Sequence, residues 1–110
     1  MKKELYAMAQ LPVDKESFED NLLVGWNNRT DFYELYSADE LLTSKSNFKK
    51  ARNGLVNVYN NYDEIIYVGQ TADELKNDLP YVQREFEHDG RFGIVKITNI
   101  DTNITIEEVA

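Results

Sequence analysis

Short runs rich in aromatic and β-branched residues recur along the chain and predict β-strands. The runs cover residues 31–36, 55–59, 64–68 and 93–97, and such composition is typical of half-buried strands. Weaker runs at residues 5–9 and 104–107 predict a first and a last strand. The polar segment 60–63 has the composition of a turn, so the second and third strong runs are expected to form a hairpin.

Helical spacing of apolar residues separates the strands in two places. Ser37 to Glu40 and Thr71 to Glu74 both match the capping box, in which a hydroxyl and a glutamate three residues later cap the first turn. The apolar residues that follow at helical spacing are Leu41, Phe48 and Ala51 in the first segment, and Leu75, Leu79, Val82 and Phe86 in the second.

Two further features complete the predicted helices. Pro80 predicts a kink or a break in the second helix, with another helical piece beginning at Asp78. A third helix is predicted over residues 15–23, with Asp14 as its N-cap, followed by an irregular linker at residues 25–30.

The predicted elements repeat. Residues 33–41 align with 67–75 at an offset of 34, and 54–60 align with 93–99 at an offset of 39. The pseudo-repeat joins residues 32–60 to 66–99 as two βαβ halves. We therefore predict an α+β fold: an antiparallel sheet with helices on one face, a ferredoxin-like βαββαβ core and an extra N-terminal strand and helix.

Composition narrows the class of protein. The chain has 110 residues and 42% hydrophobic residues, which indicates a single α+β domain over 1–110. The absence of cysteine excludes disulfides, thiolate zinc sites and cysteine nucleophiles. No run resembles a signal peptide or a membrane span, so a cytoplasmic protein without membrane contact is expected. The net charge of −8 argues against general binding of a phosphate backbone and favours either solubility or a basic partner.

No residue pattern indicates catalysis. His88 is the sole histidine, and its position between Glu87 and Asp89 is typical of a solvated helix end. The paired carboxylates are explained by helix capping or lie on opposite faces of a strand. No glycine-rich phosphate loop and no metal-ligand spacing occurs. We predict no enzyme activity, no cofactor and no metal.

One segment reverses the charge of the chain. Residues 45–52 carry a charge of +4, from Lys45, Lys49, Lys50 and Arg52. On a helix, Lys45, Lys49 and Arg52 would share one face and could neutralise phosphates of RNA or DNA. The alternative is that these cations complement the dipole at the end of the helix.

Tyrosines crowd around the predicted hairpin. Tyr59, Tyr62 and Tyr67 either form an exposed surface that binds a protein partner or pack against one another as cross-strand pairs. This leads us to expect a small regulatory or interaction module acting through protein contacts or as a homodimer, with nucleic-acid binding through residues 45–52 as the alternative.

Residues 54–98 also resemble a known family. Asn57-Val58-Tyr59 followed by Tyr67-Val68-Gly69 is similar to the two signature strands of GIY-YIG nucleases. The resemblance implies a hairpin followed by a helix that carries a catalytic arginine, and a metal-binding glutamate farther along. Asn57 replaces the first glycine, Lys76 stands near the arginine position and Arg84 comes later. Of glutamates near the end, only Glu107 and Glu108 are present, so the resemblance implies a degenerate nuclease fold.

Overall fold

The computed structural model describes residues 4–39, 48–50, 56–59, 65–68, 72–99 and 103–109. One α-helix lies wholly within these residues, α1 (Ala72–Glu85), between the sixth and seventh of eight strands. Ala38 and Asp39, directly after Ser37, are also helical. The strands are β1 (Glu4–Leu11), β2 (Leu22–Asn27), β3 (Phe32–Ser37), β4 (Phe48–Lys50), β5 (Val56–Tyr59), β6 (Ile65–Val68), β7 (Arg91–Thr98) and β8 (Thr105–Glu108). The α+β class predicted from the sequence is confirmed.

The strands form one antiparallel sheet centred on β1 and β7. These two strands pair along all eight residues of each, from Glu4 opposite Thr98 to Leu11 opposite Arg91. The order across the sheet is β4-β5-β6-β2-β1-β7-β8, and β3 pairs with β2. The ferredoxin-like order is not confirmed, because one helix lies wholly within the described residues and β2 and β1 lie between β6 and β7.

Strand β2 has three partners. One of its edges pairs with β3 along its whole length. The other edge is divided, because Leu23 and Val24 pair with β1 whereas Trp26 and Asn27 pair with β6. The buried residue Gly25 lies where the partner changes.

Both faces of the central strands are buried. On the face that we call the helix side, β1, β2 and β7 pack against α1 through Met8, Val24, Phe92, Ile94, Leu75 and Val82. On the opposite face, which we call the loop side, the core consists of Ala7, Ala9, Phe18, Leu23, Ala38, Val95, Ile97 and Ile106. Burial on both faces explains why β7 has four consecutive buried residues, a pattern unlike the alternation of a half-exposed strand.

The helix predicted over residues 15–23 is wrong. Only Phe18–Asp20 forms a 3-10 turn, and Leu22 already belongs to β2, as does the first half of the predicted 25–30 linker. Asp14 accepts from the Glu16 and Ser17 amides, which is an Asx turn rather than a helix cap. The buried Asn21 amide donates to the carbonyls of Asp14, Ser17 and Phe18, so this loop is closed by one side chain.

The structure agrees with the two predicted capped helices to different extents. Helix α1 begins at Ala72, directly after Thr71, and runs through Pro80 without the predicted break or a second start at Asp78. Pro80 lies on the exposed side, where water can bond the carbonyl that lacks a helical donor.

The prediction of the first capped helix is wrong at its C-terminal end, because Phe48–Lys50 forms β4 and pairs with β5. Ser37 is the last residue of β3, and its hydroxyl donates to the Glu19 carbonyl at 3.2 Å. The equivalence of the two predicted halves is therefore not confirmed. Glu40, Leu41 and Ala51 lie outside the described residues.

Candidate functional site

Three aromatic side chains meet at the border between the sheet and α1, and we call them the aromatic cluster: Trp26, Tyr33 and Tyr81. Trp26 and Tyr33 are register partners on β2 and β3, and their rings lie edge to face with centroids 4.9 Å apart and planes at 80°. The ring of Tyr81, on α1, lies 6.0 Å from that of Tyr33 at 51°. Both spacings fall within the range of favourable aromatic pairs.

The fold fixes this cluster from two directions. Along β3, Tyr33 and Leu35 face the helix side, where both pack against the core. The residues that alternate with them face the opposite side of the sheet. Leu75 and Val82 pack α1 against the sheet, and the ring of Tyr81 on this helix contacts that of Tyr33. The Tyr33 hydroxyl donates to Asp78 Oδ2 at 2.8 Å, which ties β3 to the helix.

One flank of α1 beside the cluster is acidic. Glu74, Asp78 and Glu85, which we call the acidic flank, share a helical stripe with Tyr81 at spacings of four, three and four residues. All four residues are exposed, and Tyr81 is 45% exposed despite its ring contact. Among the described residues, no cation forms an ion pair with the acidic flank. The surface therefore combines accessible aromatic rings with uncompensated negative charge.

The environment of Tyr33 keeps its hydroxyl protonated. Burial raises the pKa of Tyr33 well above its ordinary value, and the hydrogen bond to Asp78 and the nearby charge of that carboxylate raise it further. The hydroxyl is therefore a permanent donor at physiological pH. Through this hydrogen bond it orients the Asp78 carboxylate.

A second polar group lies on the loop side near the β2–β3 turn. The Asn27 amide donates to Glu34 Oε2 and to the Tyr36 hydroxyl, both at 2.9 Å, and that hydroxyl donates to Glu34 Oε2 at 2.7 Å. The side-chain oxygen of Asn27, Oδ1, accepts from the backbone amides of Arg29 and Thr30 in the turn. Asn27 is 2% exposed, so this hydrogen-bond network stabilises the β2–β3 hairpin and leaves Asn27 inaccessible to a ligand.

The residues predicted to bind partners fall mostly on β4, β5 and β6. Lys49 and Lys50 lie in β4, so the helical stripe predicted for them is wrong, and Lys45 and Arg52 lie outside the described residues.

Two of the three predicted tyrosines lie on the paired strands β5 and β6. Tyr59 lies in β5, and Tyr67 in β6 is the register partner of Trp26. Tyr62 lies outside the described residues. The register thus places one of the three predicted tyrosines next to the aromatic cluster.

The residues considered for chemistry are scattered. His88 lies in an exposed 3-10 turn, where its Nε2 is 3.5 Å from Glu87 Oε1. Lys76 forms an ion pair of 3.9 Å with Asp73 on α1, and Glu107 and Glu108 are exposed on β8. Within the described ranges, no group of three or more histidines and carboxylates is arranged to hold a metal ion.

Sequence reasoning missed Trp26, Tyr33, Tyr81 and Asp78 as a site. The spacing of Glu74, Asp78, Tyr81 and Glu85 along α1 was a usable signal, since it marks one flank of a helix. The approach of this flank to Tyr33 depends on how α1 packs on the sheet, and no local pattern reports that.

Comparisons with known proteins leave the site to be interpreted from its geometry. No family model, curated protein or solved structure matches the chain. Helix α1, the helix that lies wholly within the described residues, is too short and too polar to cross a membrane.

Proposed function

We propose that this protein is a non-catalytic regulatory or interaction module that binds a partner protein through the aromatic cluster. The observation that carries the proposal is the cluster itself: three aromatic rings held in fixed positions, with Tyr81 still 45% exposed. Tryptophan and tyrosine dominate the energetics of protein interfaces because they bury a large area with little loss of conformational freedom.

The way the cluster is held supports binding. Register pairing fixes Trp26 against Tyr33, and the hydrogen bond to Asp78 fixes Tyr33 against α1. A surface ordered before the partner arrives loses less entropy on association. Tyr67, one of the predicted partner-binding tyrosines, is the register partner of Trp26 on the neighbouring strand.

The experiment is capture of partners by the purified, immobilised protein from a lysate of its source cell, with and without nuclease treatment. Tyr81→Ala removes the accessible ring of the cluster, and we expect it to reduce capture at least about tenfold, as for an interface residue worth more than ~1.4 kcal/mol. Phe32→Ala is the matched control, because Phe32 is 61% exposed and has no ring contact with the cluster.

Three outcomes would overturn the proposal. Capture that depends on Phe32 and not on Tyr81 would place the interface elsewhere. Capture lost after nuclease treatment would favour nucleic acid, and its dependence on salt should then fall on Lys45, Lys49, Lys50 and Arg52. Metal-dependent cleavage of RNA or DNA by the purified protein would favour the nuclease resemblance over an interaction module.

A further inference from the structure

We infer that the aromatic cluster and the acidic flank together form a receptor for an arginine side chain that the partner protein presents. The inference rests on the proposed function and adds the chemistry of the partner. It begins with the position of Asp78, which is hydrogen-bonded to Tyr33 and stands on the same helical stripe as Tyr81.

The Asp78 carboxylate has capacity for a cation. Among the described residues, it accepts one hydrogen bond, from Tyr33 at 2.8 Å, and forms no ion pair. A carboxylate can accept up to about four hydrogen bonds, so most of its acceptor sites remain. The Tyr33 bond also restricts its rotation, which lowers the entropic cost of pairing with an incoming cation.

The neighbouring rings complete the requirements of a guanidinium group. This group is planar, stacks on aromatic faces and donates hydrogen bonds along its edge at the same time. Tyr81 supplies an exposed ring on the same stripe as Asp78, and its ring contacts that of Tyr33 at 6.0 Å. An ammonium group satisfies the charge but not the planar stacking, so we assign arginine rather than lysine.

The surrounding charge selects the same partner. Glu74 and Glu85 lie one helical turn before Asp78 and one turn after Tyr81, and the whole chain carries a charge of −8. A basic segment approaching this flank is attracted along its length, and an acidic segment is repelled. Charge complementarity thus argues for a partner whose arginine lies among other cationic residues.

The chain contains its own reporter for the test. Trp26 is the single tryptophan, so intrinsic fluorescence reports on the aromatic cluster directly. The probe is a capped peptide with two arginines spaced by glycines, titrated at low salt. Peptides with lysine or citrulline in place of arginine serve as comparisons, because citrulline keeps the planar shape and removes the charge.

We expect the arginine peptide to cause a saturable change in Trp26 fluorescence. The lysine peptide should bind at least about tenfold more weakly, and the citrulline peptide should not bind. Asp78→Asn should weaken binding of the arginine peptide about tenfold or more. Asp73→Asn is the matched control, since it makes the same chemical change on the same helix, outside the stripe and already paired with Lys76.

Each outcome decides the inference separately from the proposed function. Equal binding of the lysine and arginine peptides, or equal effects of the Asp78 and Asp73 variants, would overturn the arginine assignment. If a partner is captured through Tyr81 while the peptide changes nothing, the interface stands and the inference is wrong. If the peptide binds but no partner depends on Tyr81, the receptor stands and the proposed function is wrong. Loss of fluorescence change together with concentration-dependent dimerisation would assign the surface to a second copy and overturn the inference.

Discussion

Replacing Asn27 by aspartate should destabilise the protein in a way that depends strongly on pH. Asn27 is buried, and its side-chain amide donates to Glu34 and to Tyr36. Aspartate has almost the same shape and still accepts from the Arg29 and Thr30 amides. It cannot donate when ionised, and it places a second carboxylate next to Glu34.

The magnitude follows from the distances. Two unit charges about 3 Å apart interact with ~5 kcal/mol at an effective dielectric of ~20. Because Glu34 is half-exposed, we expect solvent to reduce this repulsion to about 2–3 kcal/mol. The two lost hydrogen bonds add about 1 kcal/mol each, so the free energy of unfolding should fall by about 4–5 kcal/mol at pH 7. Asn27→Ala loses these two bonds and also the two that Asn27 Oδ1 accepts from the Arg29 and Thr30 amides. Without the repulsion, it should cost about 4 kcal/mol with little dependence on pH.

The assay is chemical denaturation of both variants and the native protein at pH 7 and at pH 4. Near pH 4 the closely spaced carboxyl pair in Asn27→Asp should hold a shared proton, which restores a donor and removes the repulsion. The aspartate variant should therefore gain stability relative to the alanine variant between pH 7 and pH 4. A difference in stability between the two variants that is the same at both pH values would refute the reasoning.

The remaining predictions concern packing, the end of α1 and the titration of one tyrosine. A Cβ on Gly93 would lie 2.6 Å from Leu11 Cδ1, so Gly93→Ala should lower the free energy of unfolding by about 1–3 kcal/mol. The same substitution in a Leu11→Ala background should cost less than 1 kcal/mol by denaturation, and additive costs would contradict the clash. Gln83 donates to the Gly90 carbonyl and accepts from the Phe92 amide at 2.9 and 2.8 Å. Gln83→Glu should therefore cost about 1–2 kcal/mol at pH 7, because its carboxylate faces a carbonyl it cannot donate to. The raised pKa of Tyr33 means that its stabilising contribution is complete below the unfolded pKa of about 10 and is lost as pH rises above it. Tyr33→Phe should flatten the alkaline fall in stability without changing tyrosinate absorbance of the folded protein at pH 11, and an absorbance decrease in this variant would contradict the shift.

The strands were predictable where local composition and long-range pairing agree. The runs that became β3, β5, β6 and β7 are rich in aromatic and β-branched residues, and each found a partner strand. Helix α1 was predictable because the capping residues, the acidic first turn and the apolar spacing all indicate the same start.

The errors occur where distant contacts outweigh local periodicity. Phe18, Leu22 and Leu23 have a spacing that also suits a helix face, but Leu22 and Leu23 gain strand partners in β2. The buried Asn21 amide then closes the preceding loop. Phe48 likewise lies on a predicted helix face, yet it pairs with Val58 across β4 and β5.

The aromatic cluster was not predicted from the sequence. Of the tyrosines predicted to bind a partner, Tyr67 is the register partner of Trp26, and the binding role of those tyrosines stays a prediction. The choice of Tyr33 and Tyr81 depends on three elements that are far apart in sequence, β2, β3 and α1. Their meeting is a property of the packed sheet and helix, which no single stretch of sequence encodes.

The divided edge of β2 separates the protein into parts that resist opening to different degrees. Among the described residues, two register pairs join β6 to β2, with β5 and β4 beyond β6, whereas eight join β1 to β7. In amide hydrogen exchange, the β4–β6 group should therefore lose protection at a lower free energy than β1 and β7 and behave as its own cooperative unit. A pulling force applied across the β2–β6 junction would break there first. Under such a force, we expect β6 to separate from β2 beside Trp26 while β1 and β7 stay paired.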